Sequence, residues 1–188
     1  QAFQGNRAYL EERTTETLGL LFDMHWPYRQ FATARDVRQS PFHDRLKALG
    51  ACMTEAAGWE RPGFFGAPGT TPEIGYSYGR QSWFEACGEE CRNTAENVTL
   101  FDQSCFVKYQ VEGRDALAVL NQVCANQIDV PVGRVVYTQW LNAQGGIEAD
   151  VTVTRLSETA FLVVTLAISQ RRDLAWLKRQ IPDGAHAF

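Results

Sequence analysis

Tyr137-Thr138-Gln139-Trp140-Leu141-Asn142-Ala143-Gln144-Gly145-Gly146-Ile147-Glu148-Ala149-Asp150-Val151-Thr152-Val153-Thr154 is the stretch that decides the fold. Two runs suited to β-strands flank a turn closed by two glycines, where positive φ is readily adopted, so the stretch predicts a hairpin. Its second strand alternates with period two. Ile147, Ala149, Val151 and Val153 fall on one face, and Glu148, Asp150, Thr152 and Thr154 on the other. With residues 143–146 as the loop, Asn142 lies opposite Ile147 and Tyr137 opposite Thr152. Tyr137 and Asp150 then share a face as diagonal cross-strand neighbours, roughly 7–8 Å apart at their Cα atoms. A phenol beside a carboxylate can bind a polar aromatic ligand, although a solvated strand face gives the same alternation.

Working outward, the pattern is α+β. Before the hairpin, Phe106–Val111 reads as a strand ending at Gly113, and Arg114–Ala125 as a helix with Leu117, Leu120 and Cys124 on one face. After it, Phe161–Leu166 predicts a further strand. Ser169 then opens a final helix whose Leu174, Leu177 and Ile181 point inward. The hairpin pairs its own two strands antiparallel. Upstream, residues 7–21 predict a helix with Leu10, Thr14, Leu18 and Leu21 at helical spacing. Ser40-Pro41 starts a short helix over Phe42–Leu49, and Glu85–Val98 predicts another. Between Gly58 and Gly79, prolines and glycines crowd a stretch that reads as a wrapping linker without a regular element. The domain boundary falls near residue 70, giving segments 1–70 and 71–188.

Composition narrows the function classes. The chain has 188 residues, 45% hydrophobic and 21% charged, with a net charge of −4. That is a globular balance without the basic surplus that nucleic-acid binding needs, and no 18-residue apolar run suggests a membrane span. Five cysteines, an odd number without regular spacing, argue against a disulfide framework and fit a reducing compartment. Cys87 and Cys91 share a helical face, but no second Cys or His pair completes a ligand set, so no metal site is expected. No Gly-x-Gly-x-x-Gly opens a βαβ unit, so no dinucleotide fold is expected within these residues.

The hairpin, from Tyr137-Thr138-Gln139-Trp140-Leu141-Asn142 through Gly145-Gly146-Ile147-Glu148-Ala149-Asp150, resembles the signature of the glycine-cleavage T-protein (aminomethyltransferase) superfamily. Asp150 matches that family's catalytic second acidic residue, with Ala149 where many members carry the first. Tyr137 matches a folate-contacting tyrosine. Leu100-Phe101-Asp102-Gln103-Ser104 and Cys124-Ala125-Asn126-Gln127-Ile128 resemble two further family segments. Gln127 replaces the usual Asp there, so no role is carried onto it. A second resemblance covers residues 1–60. Asn6-Arg7-Ala8-Tyr9-Leu10, Leu20-Leu21-Phe22-Asp23-Met24-His25-Trp26-Pro27, Arg38 to Leu46 and Gly58-Trp59-Glu60-Arg61-Pro62 are similar to the central domain of flavin-dependent amine dehydrogenases.

Both blocks in this order resemble dimethylglycine/sarcosine dehydrogenase-type enzymes. The resemblance implies an α+β fold: a central-domain segment followed by the N-terminal part of an aminomethyltransferase-like folate-binding domain with an antiparallel sheet. It also implies FAD on an upstream domain outside these residues, a small-molecule N-methyl amine as substrate, and tetrahydrofolate as acceptor of the one-carbon unit, giving 5,10-methylene-tetrahydrofolate. Asp150 is then the expected catalytic residue and Tyr137 the expected folate contact, with Glu148 solvent-facing or supporting. His25 and Trp26 are expected to pack beneath a domain interface, and Arg38 and Arg45 to form inter-domain ion pairs. The expected setting is a bacterial cytoplasm or the mitochondrial matrix. These residues alone are expected to be neither a complete enzyme nor a tight folate binder. Two alternatives stay open: a non-catalytic regulatory homologue of the same architecture, and a folate-binding aminomethyltransferase of other specificity.

Overall fold

The computed structural model describes residues 5–188. It divides into two compact units, with the division between Cys105 and Phe106. The composition change near residue 70 lies within the first unit. Among the described residues no helix is long and apolar enough to cross a membrane.

The first unit contains α1 (Arg7–Leu20), α2 (His43–Ala48), a hairpin of β1 (Ala51–Ala56) and β2 (Trp59–Phe65), and α3 (Phe84–Glu96). Asn6 caps α1 by accepting from the amides of Ala8 and Tyr9. The leucine stripe of α1 does not form a core face: no α1 residue is buried, and Leu10 and Leu18 are exposed. The helix is anchored by its charges instead. Arg13 pairs with Glu55 at 3.0 Å, donates to the Thr33 and Ala34 carbonyls, and lies 4.1 Å over the Phe31 ring. Glu16 accepts from the amides of Ala32 and Thr33. The expected start of α2 needs correction: its N-cap is Phe42, without a side-chain capping bond, and Ser40 lies in the turn before it, its hydroxyl accepting from the Phe42 amide at 3.1 Å.

Contrary to the linker reading of 58–79, Trp59–Phe65 is a strand paired antiparallel with β1. Pro62 lies opposite Met53, where the register shifts and leaves Gly63 as the extra residue. The bulge is what lets proline sit in a strand. Arg38 stacks on Trp59 at 4.3 Å, and Trp26 packs on Tyr78, whose hydroxyl donates to the His25 carbonyl. These contacts are all internal to the first unit.

The second unit contains β3 (Val107–Glu112), α4 (Ala116–Val123), β4 (Val135–Leu141), β5 (Ile147–Arg155), β6 (Ala160–Thr165) and α5 (Gln170–Gln180). Its four strands form an antiparallel sheet in the order β3-β6-β5-β4. Val111, Trp140, Ala149, Val151, Val153, Phe161 and Val163 line its inner face and pack with α4 and α5. Trp140 stacks on Trp176 at 5.3 Å between ring centroids. The expected inward set on α5 needs correction: Trp176 and Leu177 are buried, whereas Leu174 is exposed. A 3-10 turn at Ala167–Ser169 precedes α5. The Ser169 hydroxyl makes no capping bond.

Residues 185–188 close over Gly113. Phe188 exchanges backbone hydrogen bonds with Glu112 at 2.9 and 3.0 Å, and the His186 amide donates to Asp115. Gly113 has φ +134, and a Cβ there would lie 1.9 Å from the His186 carbonyl oxygen.

Candidate functional site: the outer face of the hairpin strands

The hairpin turn is organised by Asn142. Its side-chain oxygen accepts from the amides of Gln144 and Gly146, and its backbone exchanges bonds with Gly145 and Gly146. Gly145 takes φ +79, the left-handed conformation expected of it.

Pairing runs without a break from Val135↔Thr154 through Tyr137↔Thr152 and Gln139↔Asp150 to Trp140↔Ala149. The expected Asn142–Ile147 pairing is not formed: Ile147 pairs with Leu141, leaving Glu148 as the extra residue of a β-bulge. A one-residue shift exchanges faces. Ile147 therefore leaves the buried row of Ala149, Val151 and Val153 and is 69% exposed. The Glu148 carboxylate accepts from the Asn142 amide nitrogen at 3.1 Å, and its carbonyl accepts from Arg172 of α5.

Beyond the bulge, the alternation places Tyr137, Gln139, Asp150 and Thr152 on the outer face, away from the α4/α5 core. Tyr137 and Asp150 do share this face, and the structure adds Gln139 to them. Gln139 lies directly opposite Asp150, and its amide nitrogen donates to Asp150 Oδ1 at 3.2 Å. The Tyr137 ring is 59% exposed. Its hydrogen-bonding interaction with Asp150, then lost hydration and the carboxylate's charge, push the phenol up from its ordinary range, while Gln139 pulls it down. The phenol therefore keeps its proton at neutral pH. Residue type alone gave no reason to select Gln139. The signal was present nonetheless, because the count that pairs Tyr137 with Thr152 also pairs Gln139 with Asp150.

The edge of β4 is held from outside. The Ala125 amide donates to the Gln139 carbonyl at 2.9 Å, the Asn126 side chain to the Tyr137 carbonyl at 2.7 Å, and the Asn126 amide to Thr138 Oγ1 at 3.0 Å. Inside the unit, Asp173 is 1% exposed, accepting from Thr165 Oγ1 at 2.6 Å and pairing with Arg172. Its charge, after burial, helps push the Tyr109 phenol up to about 12.

A second polar cluster lies in the first unit. Glu60 is 3% exposed and pairs with Arg35 at 2.5 Å. Burial pushes its carboxyl up, but bonds from Arg35 and the Asp36 amide outweigh this and hold it low. Every polar partner here belongs to the same unit, which is the pattern of a structural ion pair.

Residues 42–187 match the GCVT N-terminal domain, which covers most of the chain. The chain belongs to the GCVT N-terminal domain family. Residues 1–40 of this GCVT chain match the FAD dependent oxidoreductase central domain. The block 42–62, similar by sequence to the flavin enzymes' central domain, thus lies under the GCVT match.

Among curated relatives, the chain is 49% identical over 176 residues to the 4-methylaminobutanoate oxidase (formaldehyde-forming) of Paenarthrobacter nicotinovorans, covering 94% of this chain and 21% of that protein. It is 34% identical to the mouse mitochondrial pyruvate dehydrogenase phosphatase regulatory subunit, covering 96% and 21%. It is 30% identical to human mitochondrial dimethylglycine dehydrogenase, covering 95% and 20%. The chain thus spans about one fifth of the length of these relatives. Among solved structures, the glycine cleavage system aminomethyltransferase T from Bartonella henselae matches with a TM-score of 0.65 at 23% identity, over 81% of this chain and 37% of that one. That likeness shows the fold.

Proposed function

We propose that these residues serve in an FAD-dependent N-methyl amine oxidoreductase of the dimethylglycine/sarcosine dehydrogenase type. Their hairpin face forms part of the site that captures the released one-carbon unit on tetrahydrofolate. The observation that carries this reading is the Tyr137–Gln139–Asp150 group, assembled on one sheet face of a GCVT-family chain. Both sheets among the described residues are antiparallel, and no βαβ crossover among them offers a dinucleotide cradle, so FAD does not fit here. A folate does fit in kind: Tyr137 presents an exposed ring for a flat heterocycle, and Asp150 an exposed carboxylate for a polar nitrogen.

Tetrahydrofolate, when bound, supplies the nitrogens that bond to the transferred carbon. The Asp150 carboxylate would accept the proton displaced from the attacking nitrogen, stabilise positive charge at the carbon, and pass that proton to the amine nitrogen as its bond to the carbon breaks, the second nitrogen's proton going to solvent as the methylene bridge closes. Tyr137 positions the ring and, still protonated, donates a hydrogen bond.

A second reading is favoured by the formaldehyde-forming oxidase at 49% identity: the carbon leaves as free formaldehyde. The regulatory subunit at 34% identity supports a third, without amine turnover. The full-length protein separates them. Dimethylglycine, sarcosine and 4-methylaminobutanoate are each supplied with and without tetrahydrofolate, and flavin reduction, formaldehyde and 5,10-methylene-tetrahydrofolate are measured. The proposal expects folate to divert carbon from formaldehyde to the methylene product. Asp150→Asn is then expected to lower that capture about 10²–10⁴-fold while flavin reduction survives. Formaldehyde alone, with or without folate, favours the second reading, and no flavin reduction by any of the amines favours the third. Equal loss of both half-reactions in Asp150→Asn makes Asp150 structural.

A further inference from the structure

We infer that Gln139 is a positioning residue that fixes the Asp150 carboxylate for one-carbon capture, an inference that rests on the folate reading of this face. An aspartate on an open strand face has several side-chain rotamers available, and a base that must meet one nitrogen is efficient only when held in one of them. Gln139 supplies the restraint. It sits directly across the ladder from Asp150 and donates its amide to Oδ1 at 3.2 Å. The bond is made to one of the two carboxylate oxygens, Oδ1.

The chemistry of the donor matters as well. A lysine or arginine at this position would form a charge-assisted pair and draw the carboxylate's basicity into a salt bridge. A neutral amide orients the carboxylate without neutralising it. Gln139 also acts on Tyr137, pulling its phenol down while Asp150 pushes it up.

The anchor is itself anchored. β4 is an edge strand, which is free to fray unless its outer edge is covered. Here the 125–126 segment covers it at three consecutive residues, through the Tyr137 carbonyl, the Thr138 hydroxyl and the Gln139 carbonyl. On the inner side, buried Thr138 and Trp140 flank Gln139 in sequence and lock the strand to the core. The restraint on Asp150 therefore passes through Gln139 to the rigid part of the sheet.

A double-variant comparison in the full-length protein tests this, reading the ratio of 5,10-methylene-tetrahydrofolate to free formaldehyde during amine turnover. Gln139→Leu keeps similar volume without a donor. It is expected to lower kcat for capture roughly tenfold, with KM for tetrahydrofolate within about threefold of wild type. Gln139→Glu, which replaces the donor by an acceptor, is expected to lower it at least as far. In an Asp150→Asn background, Gln139→Leu should cost less than about twofold more, because a residue acting through Asp150 has nothing left to position. Two results overturn the inference while leaving the folate reading intact. One is capture by Gln139→Leu within twofold of wild type although Asp150→Asn has lost it, and the other is losses that multiply in the double variant. Capture undiminished in Asp150→Asn sinks the folate reading itself, and the inference with it.

Discussion

Replacing Gly113 by alanine puts one methyl group where the backbone of residues 186–188 already lies. The glycine adopts φ +134, which an L side chain rarely takes, and its added Cβ would sit 1.9 Å from the His186 carbonyl oxygen and 2.7 Å from the carbonyl carbon. Both atoms belong to backbone, so no rotamer change relieves the contact. Backbone strain of this kind costs about 1–3 kcal/mol. Moving residues 185–188 away breaks the two Glu112–Phe188 bonds, the Asp115 amide's bond to His186, and the His186 amide's bond to the Asp115 carboxylate. Each such bond contributes about 0.5–1.5 kcal/mol. If the strain is joined by loss of about half of these bonds, the expected destabilisation is roughly 2–6 kcal/mol. It should appear as a lowered urea midpoint with the slope unchanged, and as faster hydrogen exchange at the β3 amides. A loss below about 1 kcal/mol, with β3 still protected, would refute the reasoning, because the closure over Gly113 could not then be as tight as described.

Three further outcomes are expected. Ala57→Asn should stabilise the protein by about 0.5–1 kcal/mol in the same urea assay, since Ala57 holds φ +55 ahead of Gly58 at +79 and Asn-Gly suits that hairpin turn. Tyr109, pushed up to about 12 by burial and by the charge of Asp173, should be among the last phenols to ionise in absorbance at 295 nm. A raised folded-state value means that its contribution to stability is complete below about 10 and is lost as pH rises through about 12; Asp173→Asn should bring the titration down. Tyr137→Phe should leave KM for tetrahydrofolate within about threefold, and Tyr137→Ala should raise it tenfold or more, because the ring supplies the contact area; equal effects would show that the ring is no platform.

Periodicity worked where one face meets a core. The alternation of Ala149, Val151 and Val153 against Asp150 and Thr152 gave β5 its inner and outer rows, and counting from the loop paired Tyr137 with Thr152. It failed at Glu148 because a bulge is a local backbone choice, stabilised here by Asn142 and by Arg172 from a distant helix. The hairpin β1–β2 was hidden because Pro62 and Gly63 argue against a strand until the bulge that accommodates them is known. Helix α1 misled in the opposite sense. Its leucines have helical spacing, but its attachment runs through Arg13 and Glu16, whose partners lie some 16 to 42 residues away in sequence. Of the candidate site, Tyr137 and Asp150 were legible through resemblance and register together. Gln139 needed the side-chain geometry.

The order β3-β6-β5-β4 leaves two strands with an outer edge, and each is partly occupied by the chain's own backbone. Phe188 lies against Glu112 at one border, and Ala125 with Asn126 lies against Tyr137 and Gln139 at the other. An open border is a template on which a second molecule can add a strand, and repeated addition leads to fibres. On the β4 side, two acceptors that an incoming strand would need, the Tyr137 and Gln139 carbonyls, are already engaged beside the residues proposed to meet the folate. The two bonds to these carbonyls, which steady the strand, also oppose strand addition there, so loosening Asn126 should show itself first as self-association at high protein concentration.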